Sequence, residues 1–325
     1  MMKKLLGLLF MLSLVVFVAC EASTNEETTD SDTYVTEVAV VEEDVNAVVP
    51  EMDIDVEEIE VSRVSVVATS PAIANILYAL NGNVVGIPTT TARLPEAFDG
   101  LPEVGGVMET DFELILSLEA DLVVIDAAFE ARWEDQINEL GLNVFFFSSR
   151  NYDTFLESIQ GLGEKIDENE AANTMISDIE DALTDAQQLK TEDEGPTVAI
   201  IFGAHEDFTL AAETSAFGNL AYLMGARNIL NDMDIELDGN FIPVSMEQIL
   251  LADPDFILRF GHGPMDNVTA AFDEVLDNNE IFQQLTAFNE GRVVNLDNTI
   301  FTESINLRVS EALQFLGELF YGDQE

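Results

Sequence analysis

The sequence predicts an α/β protein of two lobes joined by one long helix, and three observations carry that prediction. From about residue 63 onward, short apolar runs alternate with amphipathic helical stretches, the rhythm of parallel sheets with right-handed crossovers. A proline-free helical stretch interrupts this rhythm between residues 152 and 189. The length allows two lobes, at about 150 residues per domain.

Composition narrows the partners before any motif is read. Hydrophobic residues make up 47% of the chain, enough for real cores. Against 12 basic residues stand 63 acidic ones, a net charge of −51. Such a field repels nucleic acid and anionic headgroups, so no nucleic acid is expected as a partner. The excess acid suits a surface adapted to salty or alkaline surroundings, where ions screen its self-repulsion.

The first residues have the pattern of a targeting segment. Met1-Met2-Lys3-Lys4 is a basic start, and residues 5–19 form an apolar stretch too short for a typical membrane span. It ends in Phe17-Val18-Ala19-Cys20, which resembles the lipobox of bacterial lipoproteins, with Phe17 where Leu is usual. That resemblance implies a signal peptide over 1–19 and a lipidated, palmitate-bearing Cys20 on the outer face of the cytoplasmic membrane. Cys20 is the only cysteine, so no disulfide framework holds the fold. Residues 20–60 turn to Thr, Ser, Glu and Asp and read as an acidic tether.

Residues 61–151 read as the first lobe. A strand over 64–68 leads into a helix start, with Ser70 as N-cap and Pro71 at the first helical position. Asn81-Gly82 stops that helix, and 84–87 is the next strand. A loop rich in Thr, Pro and Gly then delivers Met108. Helix 112–118, strand 122–125, helix 131–140 and strand 144–147 follow. Residues 152–190 are the connecting helix, with Gly161, Gly163 and the polar run near Asp167 as points where it can break in two.

Residues 191–325 read as the second lobe: strands 198–202 and 208–211, helix 217–224, helix 246–251, strand 256–260, helix 268–276, strand 293–296 and helix 305–320. Residues 114–124 echo residues 249–258, each a helix end, an acidic turn and a buried strand. Strand 256–260 runs into Gly261-His262-Gly263-Pro264. In open α/β sheets ligands lie at the carboxyl ends of strands, and the two glycines let backbone approach a bound group. His262 is one of only two histidines. The other, His205, also follows a strand, and it reads as a solvated loop residue.

Several motifs together resemble the substrate-binding lipoproteins of ABC importers for iron chelates, haem and corrinoids. They are Ala68-Thr69-Ser70-Pro71-Ala72-Ile73, Val85-Gly86-Ile87-Pro88-Thr89, Leu101-Pro102-Glu103-Val104-Gly105-Gly106-Val107-Met108, Ala252-Asp253-Pro254-Asp255-Phe256, Gly261-His262-Gly263 and Ser310-Glu311-Ala312-Leu313. Within the group the chain is most similar to the haem-receptor lipoproteins of the iron-regulated surface determinant systems. The resemblance implies two Rossmann-like lobes with a ligand cleft between them. It implies haem iron held between Met108 and His262, a soft thioether and an imidazole that are both competent axial ligands. It also implies Thr69, Ser70, Thr91 and Arg93 as further haem contacts, and Glu103 and Glu213 as the acids that dock onto the permease. The Thr91 loop lacks the aromatic residue and lysine usual there, which leaves Arg93 as its cation.

The implied partners are haem, the ABC permease, the membrane through Cys20, and surface haem donors that the sequence leaves unnamed; the chain is expected to act as a monomer. An iron-chelate or corrinoid receptor of the same class is the alternative. No catalytic elbow, cysteine nucleophile, phosphate-cradling loop or histidine pair at metal spacing points to an enzyme.

Overall fold

The computed structural model describes residues 63–190, 194–204, 207–233, 235, 239–243, 245–261 and 265–322. The signal segment, Cys20, the tether, His205 and His262 lie outside the described residues. Everything from Ile59 onward forms one compact unit.

The first half alternates as expected: β1 (Ser65–Ala68), α1 (Pro71–Ala79), β2 (Asn83–Gly86), β3 (Gly105–Gly106), β4 (Glu109–Thr110), α2 (Phe112–Ser117), β5 (Leu122–Asp126), α3 (Glu130–Leu140) and β6 (Val144–Phe147). Its sheet is parallel throughout, in the order β2-β1-β5-β6. Val66, Ala68 and Val124 turn to one buried cluster and Val67, Val123 and Ile125 to another. A strand covered on both faces reads as a continuous apolar run, which is why periodicity found these strands so readily.

The stretch expected as one connecting helix is two: α4 (Tyr152–Lys165) and α5 (Asn169–Gln187). An Asn151–Thr154 capping box starts α4. Asp167, in the left-handed region at φ 60°, takes the chain out of it. The two glycines serve packing instead. A Cβ on Gly161 would press on Phe145, and one on Gly163 would sit 2.4 Å from the Cβ of Ala172. Helix α4 covers the first sheet, with the Phe147 and Phe155 rings edge to face at 5.8 Å. Only α5, about 28 Å long at 1.5 Å per residue, runs on to the second half, where Gln187 donates to the Leu223 carbonyl at 2.9 Å.

The second half comprises β7 (Thr197–Ala204), β8 (Asp207–Ala211), α6 (Ala216–Leu223), β9 (Arg227–Asn228), β10 (Phe241–Pro243), α7 (Met246–Ala252), β11 (Phe256–Gly261), α8 (Met265–Phe272), α9 (Thr286–Asn289), β12 (Val293–Asn295) and α10 (Val309–Tyr321). The α/β rhythm does not make this sheet wholly parallel. Its order is β10-β8-β7-β11-β12, with β9 also on β7, and β8 is antiparallel to both β7 and β10. Only residues 205–206 separate β7 from β8, too few for a crossover.

The sequence echo is structural. Glu119 after α2 and Asp253 after α7 both take positive φ, 50° and 38°. Asp121 Oδ2 then accepts from the backbone and hydroxyl of Ser65, at 2.8 and 2.7 Å. Asp255 Oδ2 does the same for Thr197, at 2.7 Å each. In each half this clamp ties the amino end of the first strand to its parallel neighbour.

One buried cluster joins the halves, running from Val66 and Phe155 through Phe217 and Phe260 to Leu316 of α10. Two hydrogen bonds cross it beside the carboxyl end of β6. The Ile305 N–H donates to the Ser149 carbonyl at 2.8 Å, and the Tyr152 N–H donates to Asn219 Oδ1 at 2.9 Å.

Candidate functional site

The carboxyl end of the first sheet is built around a small hairpin that sequence reasoning took for plain loop. Chain leaving β2 stays in the sheet's company: Ile87 bridges Glu103, and the Thr89 N–H donates to the Gly105 carbonyl at 2.9 Å. Antiparallel β3 and β4 then leave Val107-Met108 as the turn. Gly105 makes this possible, with φ +90° and a position where any Cβ would lie 2.3 Å from the Glu109 carbonyl oxygen. Met108 at the tip is 53% exposed. A methionine in solvent, on a rigid turn, is available as a soft ligand in a way that a core methionine is not.

Strand order reverses between β1 and β5, and that switch point is where open α/β sheets take their ligands. Thr69 and Ser70 sit there, both buried. Their hydroxyls have structural partners: Thr69 Oγ1 donates to the Val124 carbonyl at 3.0 Å, and Ser70 Oγ caps α1 by accepting from Ile73 at 3.2 Å. Beside them Asp126 ends β5 and accepts from the Ala128 N–H at 2.8 Å. Burial pushes its carboxyl above the usual range, against the pull of that N–H and of the Arg150 charge.

Thr91 is exposed. Arg93 is exposed too, its side chain 89% accessible and loosely paired with Glu96 at 3.6 Å. Glu103 is exposed at the edge of this unit, whereas Glu213 is half-buried and accepts from Asn231 Nδ2. Thus Glu103 is open to a partner and Glu213 is already tied within its own chain.

In the second sheet β11 ends at Gly261, directly before His262 in the sequence. Gly261 faces Gly203 across β7, and a Cβ on it would lie 2.2 Å from the Gly203 carbonyl oxygen. So the glycine before His262 is required by strand packing. Arg259 is engaged within the second half. It is buried against Asp277, donates Nε to Asn295 Oδ1 at 2.8 Å and lies 5.0 Å over the Phe272 ring. Burial raises the Asp277 carboxyl, and the Arg259 charge opposes that.

Two cations that the sequence reading passed over belong to this edge. Arg132, in the first turn of α3, donates to the Met108 carbonyl at 3.3 Å and stacks 4.7 Å over Trp133. Arg150 follows β6 by three residues and is exposed. Among the described residues the other arginines, Arg63, Arg93, Arg227, Arg259, Arg292 and Arg308, are all in ion pairs. The signal that could have found Arg150 is its place at a strand's carboxyl end.

The family model described as periplasmic binding protein matches residues 66–299. The high-affinity heme uptake system protein IsdE of Staphylococcus aureus strain MRSA252 is 23% identical over 324 residues, 98% of this chain and 97% of that protein. Among solved structures, an ABC transporter substrate-binding protein from Listeria monocytogenes EGD-e superposes with a TM-score of 0.72 at 27% identity, over 80% of this chain and 100% of that one. S. aureus IsdE complexed with heme gives 0.70 at 23% identity, over 80% and 99%. These likenesses agree with the α/β class expected above.

The hairpin can be tested through the single tryptophan, Trp133, which stacks on Arg132 and meets Phe112 edge-on at 5.3 Å. Gly105→Ala should destabilise the protein by about 1–3 kcal/mol and shift Trp133 emission to the red. Unchanged emission and an unchanged unfolding midpoint would show that the turn does not depend on this glycine.

Proposed function

This chain belongs to the periplasmic binding protein family, whose members carry substrates rather than transform them, and from that premise we propose that it captures haem outside the cell and delivers it to an ABC importer. The observation that carries the reading is Met108, an exposed thioether held at the tip of a glycine-built hairpin on the sheet's carboxyl edge. Its proposed counterpart is His262, which follows Gly261 at the end of β11. With one ligand contributed by each half, the iron itself bridges the cleft. A methionine–histidine pair favours the lower-charged ferrous state more than two harder ligands do. Thr91 and Arg93 lie near enough to the hairpin in sequence and exposed enough to meet the porphyrin edge. Thr69 and Ser70 shape the cleft wall through their structural hydrogen bonds.

Delivery follows the same logic. The chain is proposed to act as a monomer, lipid-anchored through Cys20, taking haem from surface donors and meeting the permease through Glu103 and Glu213. Among the described residues no helix is long and apolar enough to cross a membrane. Few cations lie at the site, which disfavours an anionic siderophore, since such chelates need several basic groups to hold them.

Changing Cys20→Ser should move the protein from the membrane fraction to the medium while haemin binding stays as it was. Retention on the membrane would remove the lipid anchor from the account.

Titration of the full-length protein with haemin tests the ligand set. Ferric complex should be low-spin, with a sulfur-to-iron charge-transfer band. His262→Ala should lose most of the affinity, because it removes the stronger nitrogen ligand. Met108→Ala should lose less and abolish the charge-transfer band, while His205→Ala should change neither spectrum nor affinity. If His262→Ala binds haemin as the unaltered protein does, the haem reading fails and an iron-chelate or corrinoid ligand replaces it.

A further inference from the structure

We propose that Arg150 is the cation that receives a haem carboxylate in this protein, so that the ligand's anionic edge points toward the junction of the two halves. This rests on the haem reading above, and deepens it by naming the group that orients the ligand.

The position is built. Ser148, two residues before Arg150, donates its N–H to Ser158 Oγ at 3.0 Å, and the Ser149 carbonyl accepts from Ile305 of the second half. Just after it, Asn151 caps α4 through the Thr154 N–H at 2.9 Å. The backbone on either side of Arg150 is therefore pinned, while its side chain is exposed. A guanidinium on a fixed base loses little freedom on binding, which is what preorganisation means for a charged contact.

The side chain is also unengaged. In a chain with 63 acidic residues, Arg150 makes no hydrogen bond or ion pair among the described residues, although six other arginines are paired. The acid nearest in effect is Asp126, at the end of the neighbouring strand, where it is already tied to Ala128. Burial raises that carboxyl, and the Arg150 charge pulls against the rise. The remaining cations are poorly placed. Arg132 is committed to the Met108 carbonyl, Lys165 is at the opposite end of α4 from Arg150, and Lys190 lies against Gly225 beyond α6. Only Arg150 combines the carboxyl edge, the junction and a free fork of donors suited to a carboxylate.

The test compares haemin with haemin dimethyl ester, which keeps the iron and the ring but carries no carboxylate. Full-length protein, Arg150→Gln and Arg150→Lys are each titrated with both. Arg150→Gln should weaken haemin binding about tenfold, the size expected of a charge-assisted contact, and leave ester binding unchanged. The spectrum of the bound form should not move, because the axial ligands are untouched. Arg150→Lys should recover part of the loss. If the unaltered protein takes up haemin and Arg150→Gln matches it, the haem reading stands and this assignment falls. The assignment also falls if the preference for haemin over the ester survives the substitution. If the unaltered protein takes up neither compound, both readings fall together.

Discussion

The two halves share one core, and their relation to each other depends on that. Large side chains such as Phe155, Phe217, Phe260 and Phe301 are buried in a single cluster that extends under both sheets. Each is worth about 1.5–3 kcal/mol when withdrawn from water, against about 1 kcal/mol net for each hydrogen bond across the junction. Packing therefore sets the distance between the halves. The Ser149–Ile305 and Tyr152–Asn219 bonds set their register. Helix α5 packs on both α4 and α10, and α10 lies in the same core, an arrangement from which only small movements on loading are proposed.

Much of this was legible in the sequence, for physical reasons that also explain what was not. Buried parallel strands announce themselves as apolar runs, and Ser70-Pro71 is a helix start wherever it precedes an apolar-periodic stretch. The echo between residues 114–124 and 249–258 was visible because the same clamp and the same left-handed acidic residue recur. Met108 could be singled out from its resemblance, but the hairpin that presents it could not. Strands of two residues have no periodicity, and the only local sign was Gly105-Gly106. The break at Asp167 was marked by polarity, whereas the roles of Gly161 and Gly163 appear only when Phe145 and Ala172 are seen against them. Arg150 was invisible for a different reason. What distinguishes it is the lack of a hydrogen-bond or ion-pair partner among the described residues, and pairing is a tertiary property.

Charge gives the site its character. The surface is overwhelmingly acidic, and surface ion pairs contribute little to stability, about 0–1 kcal/mol each. Their effect here is on availability, since six of the described arginines already face a carboxylate. Arg259 is the extreme case, buried between Asp277 and the Phe272 ring. The positive charge left near the ligand edge is small and local. It suits a flat, mostly apolar ligand with one or two carboxylates better than a highly charged chelate.

The central claim is that iron is held between Met108 and His262 in a cleft whose width the shared core has already set. A crystal structure of the haemin-loaded protein, with the iron located by its anomalous signal, tests both parts together. The account predicts an iron peak within bonding distance of the Met108 sulfur and a His262 ring nitrogen, with the two sheets in the same relation with and without ligand. An iron peak away from either side chain, or a large rotation of one sheet against the other on loading, would contradict it.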